Sequence, residues 1–145
     1  MVAYNKFQGF VGYLCNGAVN CNTDTFNIYL SNTTPSASLD DVKADLAEIG
    51  TGNGYTGPVD VTNTGSETSG TYTCIGNDVT ITATGTMNAF QYVVMYDDTV
   101  ASPVIDPLIC WWDYGSALTL NAGESLTIDF GDDDSATGST LFTVA

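Results

Sequence analysis

The chain has 145 residues, 43% of them hydrophobic, with 17 acidic residues against two lysines (Lys6 and Lys43), no arginine and no histidine, for a formal net charge of −15. Such a charge repels phosphate backbones and anionic lipid, because nucleic-acid affinity rests on Lys and Arg displacing counterions, so neither a nucleic-acid nor a membrane partner is expected. Length and hydrophobicity fit a single folded domain over residues 1–145, able to bury about two-thirds of its unfolded surface without a disulfide or metal, rather than a disordered chain.

In chain order, Phe7, Phe10, Val11, Leu14 and Ala18 recur at helical spacing, which predicts a short helix that Gly9 and Gly12 weaken. No positive segment leading into an apolar run opens the chain and no apolar run approaches the ~20 residues of a membrane span, so neither a signal peptide nor an anchor is expected. TFNIYLS at 25–31 alternates Phe26, Ile28 and Leu30 with polar or amphipathic partners, the mark of a half-buried strand, and NTTPSAS then breaks it. Ser38 begins an S-x-x-D start signal, and LDDVKADLAEI at 39–49 places Leu39, Val42, Leu46 and Ile49 on one helical stripe. A second short helix is predicted there, with an extended path through its last residues as the competing reading. GTGNGYTGP at 50–58 formally contains G-x-G-x-x-G from Gly52, yet Pro58 and a β-like VDV follow it where a nucleotide fingerprint requires a helix. It is read as a turn whose glycines supply positive φ.

The remainder alternates as strands at 58–62, 71–75, 78–84, 90–96, 107–113, 117–121, 124–130 and 139–144, with Gly, Asn or Asp at nearly every break. Many short strands with turns every ten residues or so predict a mainly β fold, an antiparallel β-sandwich or jelly roll with one or two short helices near the N-terminus. In ESLTIDF, Leu126, Ile128 and Phe130 face a core while Ser125, Thr127 and Asp129 face water. LICWWDYG at 108–115 differs, because Trp111 and Trp112 must point to opposite faces of the sheet and both faces are apolar. One face meets the core, and the other needs a helix, a loop or a partner chain to cover it.

Acid–base and nucleophilic catalysis commonly rest on histidine, a low-pKa cysteine or lysine, and the carboxylates here sit in turns and at strand ends, so no enzyme activity, catalytic residue or cofactor is expected. Cys15, Cys21, Cys74 and Cys110 form no CxxC pair and match no zinc spacing. Cys74 and Cys110 read as core residues, while Cys15 and Cys21 flank a short turn and could pair in an oxidising compartment. Asp97 with Asp98, and Asp132 with Asp133 and Asp134, are the acidic clusters able to attract calcium, although neither has EF-hand spacing and a solvated loop is the simpler reading.

The segments NKFQGF, GNGYTG, FQYVVMYDDT and PLICWWDYGSALTLNAGESLTIDF together resemble a family of small tailed-bacteriophage proteins, often encoded near the major capsid protein. The resemblance runs from about residue 5 to 130 and is most specific in WWDYG and the NAGES turn; it departs at Cys110, where a glycine is usual, and in the longer ending GDDDSATGSTLFTVA. It implies a virion structural protein, best matched to a capsid cement or decoration protein that binds and stabilises the outer shell. The implied partners are the major capsid protein and further copies of itself, as a homotrimer, and the implied location is the capsid surface after synthesis in the host cytoplasm. Trp111, Trp112 and Tyr114 are then the expected subunit or capsid contacts, since aromatic residues are favoured anchors. The alternative from a different class is a glycan- or receptor-binding head-fibre or tail-tip module, which would also present aromatics beside Asn and Asp.

Overall fold

Alternating apolar residues build most of the elements, which the computed structural model describes over residues 3–131 and 138–145. They are β1 (Tyr4–Lys6), α1 (Gln8–Cys15), β2 (Phe26–Ser31), a 3-10 turn η1 (Lys43–Asp45), β3 (Val59–Asp60), β4 (Thr64–Thr68), β5 (Thr71–Gly76), β6 (Val79–Thr82), β7 (Phe90–Asp97), β8 (Leu108–Leu118), β9 (Ser125–Ile128) and β10 (Ser139–Val144). They form three antiparallel sheets, ordered β1-β8-β7-β2-β3, β10-β5-β4 and β6-β9. A mainly β fold with an N-terminal helix is therefore present. The jelly roll is not, because no sheet closes into a barrel or curls strongly enough.

The five-stranded sheet is apolar on both faces. On one, Ile28 and Leu30 of β2, Met95 of β7 and Ile109 of β8 join a main core that also takes Cys74, Val79, Ile81, Ile128 and Leu141 from the two smaller sheets. On the other, Tyr29, Tyr92, Val94, Tyr96 and Leu108 form a second cluster closed by Phe7, Leu46 and the flank of Trp111. The period-two alternation of β7 accounts for this division, since Tyr92, Val94 and Tyr96 share one face and Val93 and Met95 the other. In β8 a bulge intervenes: Met95 pairs with Cys110 and Tyr96 with Leu108, so Ile109 is the extra residue and points into the main core beside Cys110.

Two expectations from the sequence change in the folded chain. The second helix does not form, and only the three residues of η1 turn. Val42 bridges Pro107, Glu48 bridges Ser31, and the Ile49 N–H donates to the Leu30 carbonyl, so the segment is drawn out between strands and its backbone groups are satisfied there. Of the expected stripe only Leu46 is fully buried, while Leu39 remains 81% exposed. The strands expected at 107–113 and 117–121 are one, because Gly115 takes φ of 92° and its N–H donates to the Asp113 carboxylate at 2.7 Å, bending β8 without ending it. The glycine turn behaves as read: Gly52, Asn53, Gly54 and Gly57 all have positive φ. Gly54 is also pressed against β6, where a Cβ would lie 2.2 Å from the Thr82 carbonyl oxygen.

Candidate functional site

β1 and β8 pair with Tyr4 opposite Trp112, which brings both rings to one face of the sheet edge. Their centroids are 6.0 Å apart at 72°, and on its other side Trp112 lies 5.1 Å from the ring of Phe130, just beyond β9. Among the described residues a cleft of about 680 Å³ lies between this edge and residues of β9 and β10. Tyr4, Trp112 and Tyr114 form one wall and Leu126, Ile128 and Phe130 the other, with Thr127, Asp129 and Thr140 supplying the polar groups. Trp112 is half-buried and Tyr114 is 52% exposed, so both present aromatic surface to solvent.

Cys110, fully buried, lies on the same strand face as Trp112, beneath the partly exposed ring of Tyr4. Burial first, and the sulfur next to it second, hold the Tyr4 hydroxyl far above the ordinary tyrosine range, so it stays protonated and neutral. Burial likewise pushes the Cys110 thiol up and leaves it unreactive. Asp129 is the one carboxylate among the described lining residues. The cleft can therefore hold an apolar or ring-faced partner by contact and orient it through a few polar groups, and among the described residues it carries no second acid for two-carboxylate hydrolysis.

Of the three contact residues expected from sequence, Trp112 and Tyr114 line the cleft. Trp111 does not: it points to the opposite face, where its ring lies 4.5 Å from that of the fully buried Phe7. Tyr4 and Phe130, outside the contact residues expected from sequence, complete the cleft. Phe130 was legible as the end of an alternating strand, whereas Tyr4 gave no signal because a three-residue edge strand is too short to show a period.

The acidic candidates separate as well. Asp98 accepts from the Tyr96 hydroxyl at 3.1 Å, while Asp97 turns into the core side and is fully buried, so the two do not converge. Asp97 Oδ1 accepts from the Thr99 N–H at 2.9 Å, but Oδ2 has no donor. The Asp24 carboxyl is close enough to act on it electrostatically. Burial, and then that second acid, push Asp97 up to about 7 against the opposing Thr99 N–H. Asp132, Asp133 and Asp134 lie outside the described residues, and among the described residues no three acidic or thiol groups are placed to hold a metal ion. Compared with known proteins, the chain matches no family model, no curated protein and no solved structure.

Proposed function

We propose that the protein is a structural component of a tailed-phage virion, a capsid decoration protein built as an open antiparallel sandwich, which docks on the shell through the aromatic cleft around Trp112. The observation that carries this reading is the cleft itself: an aromatic, half-open surface with one carboxylate, in a chain whose 17 acids otherwise keep copies apart in solution. The phage setting rests on the sequence resemblance of WWDYG, NAGES and their flanks. A decoration protein needs no active site, and a desolvated aromatic anchor rimmed by polar groups suits a stable protein contact. The partner is the major capsid protein, and a homotrimer at a symmetry axis brings three such clefts to the shell together.

Trp112→Ala protein added to shells that lack it should bind at least about tenfold more weakly than the parent, the loss expected when one anchor residue is removed. In mature particles the parent should approach the copy number of the major capsid protein by gel densitometry. Absence from particles, or only a handful of copies, defeats the proposal. A glycan-binding module is the second reading, favoured by Trp112 and Tyr114 standing beside Thr127, Asp129 and Thr140. Saturable quenching of tryptophan emission by sugars, lost in Trp112→Ala, would select it.

A further inference from the structure

Consecutive residues from Leu126 to Phe130 line the cleft. A sheet face would contribute only every second residue, so the cleft runs along the edge of β9. β9 has β6 as its partner, and among the described residues no strand pairs with its other edge. The ladder fixes which backbone groups that edge presents. The Ala83 N–H donates to the Glu124 carbonyl at 2.8 Å, one step beyond the Thr82–Ser125 pair. Hydrogen-bonded pairs therefore fall at Ile81–Leu126 and Val79–Ile128, and the intervening pairs turn their N–H and carbonyl groups outward. The intervening pairs are the close ones, with hydroxyl contacts of 2.7 Å at Thr82–Ser125 and 3.0 Å at Thr80–Thr127. On the β6 side the outward Thr82 carbonyl meets Gly54 of the glycine turn. On the β9 side the outward N–H and carbonyl of Thr127 face the cleft. Free edges are ordinarily blunted by lysine, proline or a bulge. β10 has such a bulge at Leu141 and β1 carries Lys6, whereas SLTI in β9 has no charge or proline and keeps an unbroken register.

We propose that the cleft takes an extended, neutral-to-basic polypeptide segment as an added strand on the free edge of β9. Under the docking reading, on which the identity of the partner rests, the segment belongs to the shell subunit. About five extended residues, roughly 17 Å, match the stretch 126–130. Main-chain hydrogen bonds to Thr127 set the register, and alternate side chains lie against the rings of Tyr4, Trp112 and Tyr114. Charge selects the occupant. Asp129 lines the cleft, Glu124 stands at the head of β9 and Asp113 precedes Tyr114, while no lysine is among the described lining residues. A second copy of this chain, with a net charge of −15, is repelled, and an apolar segment flanked by lysine or arginine is drawn in. A sugar has no row of N–H and carbonyl groups at strand spacing and gains nothing from this edge.

The probe is a set of short labelled peptides with lysine at each end and apolar residues alternating with threonine between. They are titrated onto the full chain by fluorescence anisotropy. The expected result is saturable binding tighter than about 1 mM and amide hydrogen exchange at Thr127 slowed at least about tenfold. Thr127→Pro removes the outward N–H at a place where the ladder to β6 does not use it, and Thr127→Val removes only the hydroxyl. Proline should weaken peptide binding at least about threefold more than valine. No binding below about 1 mM, or binding that leaves exchange at Thr127 unchanged, overturns the proposal, as does a folded Thr127→Pro protein that binds as well as Thr127→Val. If Thr127→Pro does not fold, exchange at Thr127 in the parent decides. Shell binding separates this proposal from the docking reading. Loss in Trp112→Ala with no loss in Thr127→Pro overturns the added strand alone, and peptide pairing by a protein that never binds shells overturns docking alone.

Discussion

Trp111 and Trp112 are neighbours in one strand and inhabit different regions of the molecule. Trp111 rests on Phe7, carried there by the turn from β1 into α1, so the chain closes the second cluster with its own residues. Trp112 has Tyr4 and Phe130 at its edges and, among the described residues, faces a cleft that residues of β9 and β10 also line. Period-two alternation sends the two rings to opposite faces, and it does not determine which face is covered. Coverage comes from segments distant in sequence: both rings are half-buried, Trp111 against Phe7 and the second cluster, Trp112 against the main core with its free side lining the cleft.

The largest effect should come from uncovering the closed face. Phe7→Ala removes a ring with no exposed surface and leaves a cavity under Trp111, for a loss of about 3–5 kcal/mol and a melting temperature lower by roughly 10 °C or more. Tryptophan emission followed through a thermal melt should shift to the red before unfolding begins. A change of only about 2 °C would mean that the second cluster adds little cohesion and that the two faces are more alike than their packing indicates.

The main-core side carries a weakness that the closed face lacks, the buried Asp97 beside Asp24. An acid whose folded pKa is raised to about 7 binds its proton more tightly folded than unfolded. Its contribution is therefore fully present below the ordinary aspartate range and is lost as pH rises from about 4 through about 7. Parent protein should melt several degrees higher at pH 5 than at pH 8. Relief of repulsion among the other acids acts in the same direction, so Asp97→Asn isolates the buried group. The amide keeps an acceptor for the Thr99 N–H and gains a donor toward Asp24. The variant should be more stable than the parent at pH 8 by about 1–3 kcal/mol and show a smaller pH dependence by urea denaturation. An unchanged pH profile would place the proton elsewhere.

Much of the main core was legible in sequence and little of the cleft at its edge. Phe26, Ile28 and Leu30, like Ile81 and Ile128, alternate cleanly because one side of each strand meets the core. β4, TGSET, gave no such signal because almost every residue in it is exposed. It is held by pairing with β5 through a turn in which Ser69 and Gly70 both take positive φ, at 54° and 87°. The stripe at 39–49 misled because helical spacing also describes a segment pulled straight by bridges to Pro107 and Ser31, partners that local pattern cannot reveal. For the cleft, the double tryptophan announced an unusual strand, but its meeting with Tyr4 depends on a pairing across more than a hundred residues.

A milder perturbation tests the open face. Trp112 is only half-buried, so Trp112→Ala should cost about 1–2 kcal/mol, well below Phe7→Ala, while weakening the proposed docking by at least about tenfold. A loss as large as that of Phe7→Ala would make Trp112 a core residue and remove the asymmetry on which the cleft reading depends.

The smallest expected effect belongs to Lys43, whose ammonium lies 3.0 Å from the Glu48 carboxylate and 5.0 Å and 5.5 Å from the ring centroids of Tyr29 and Tyr96. It caps the edge of the closed face, and the ion pair is partly exposed, which limits its strength. Lys43→Met keeps the aliphatic stem over the rings and removes the charge, so the loss should be below about 1 kcal/mol in low-salt urea denaturation. It should shrink further in about 1 M salt, where the screening length falls to roughly 3 Å. A larger, salt-resistant loss would show that the cation over Tyr29 and Tyr96, rather than the ion pair, holds the extended 39–49 segment against the sheet, and closure of that face would then depend on charge as well as on apolar packing.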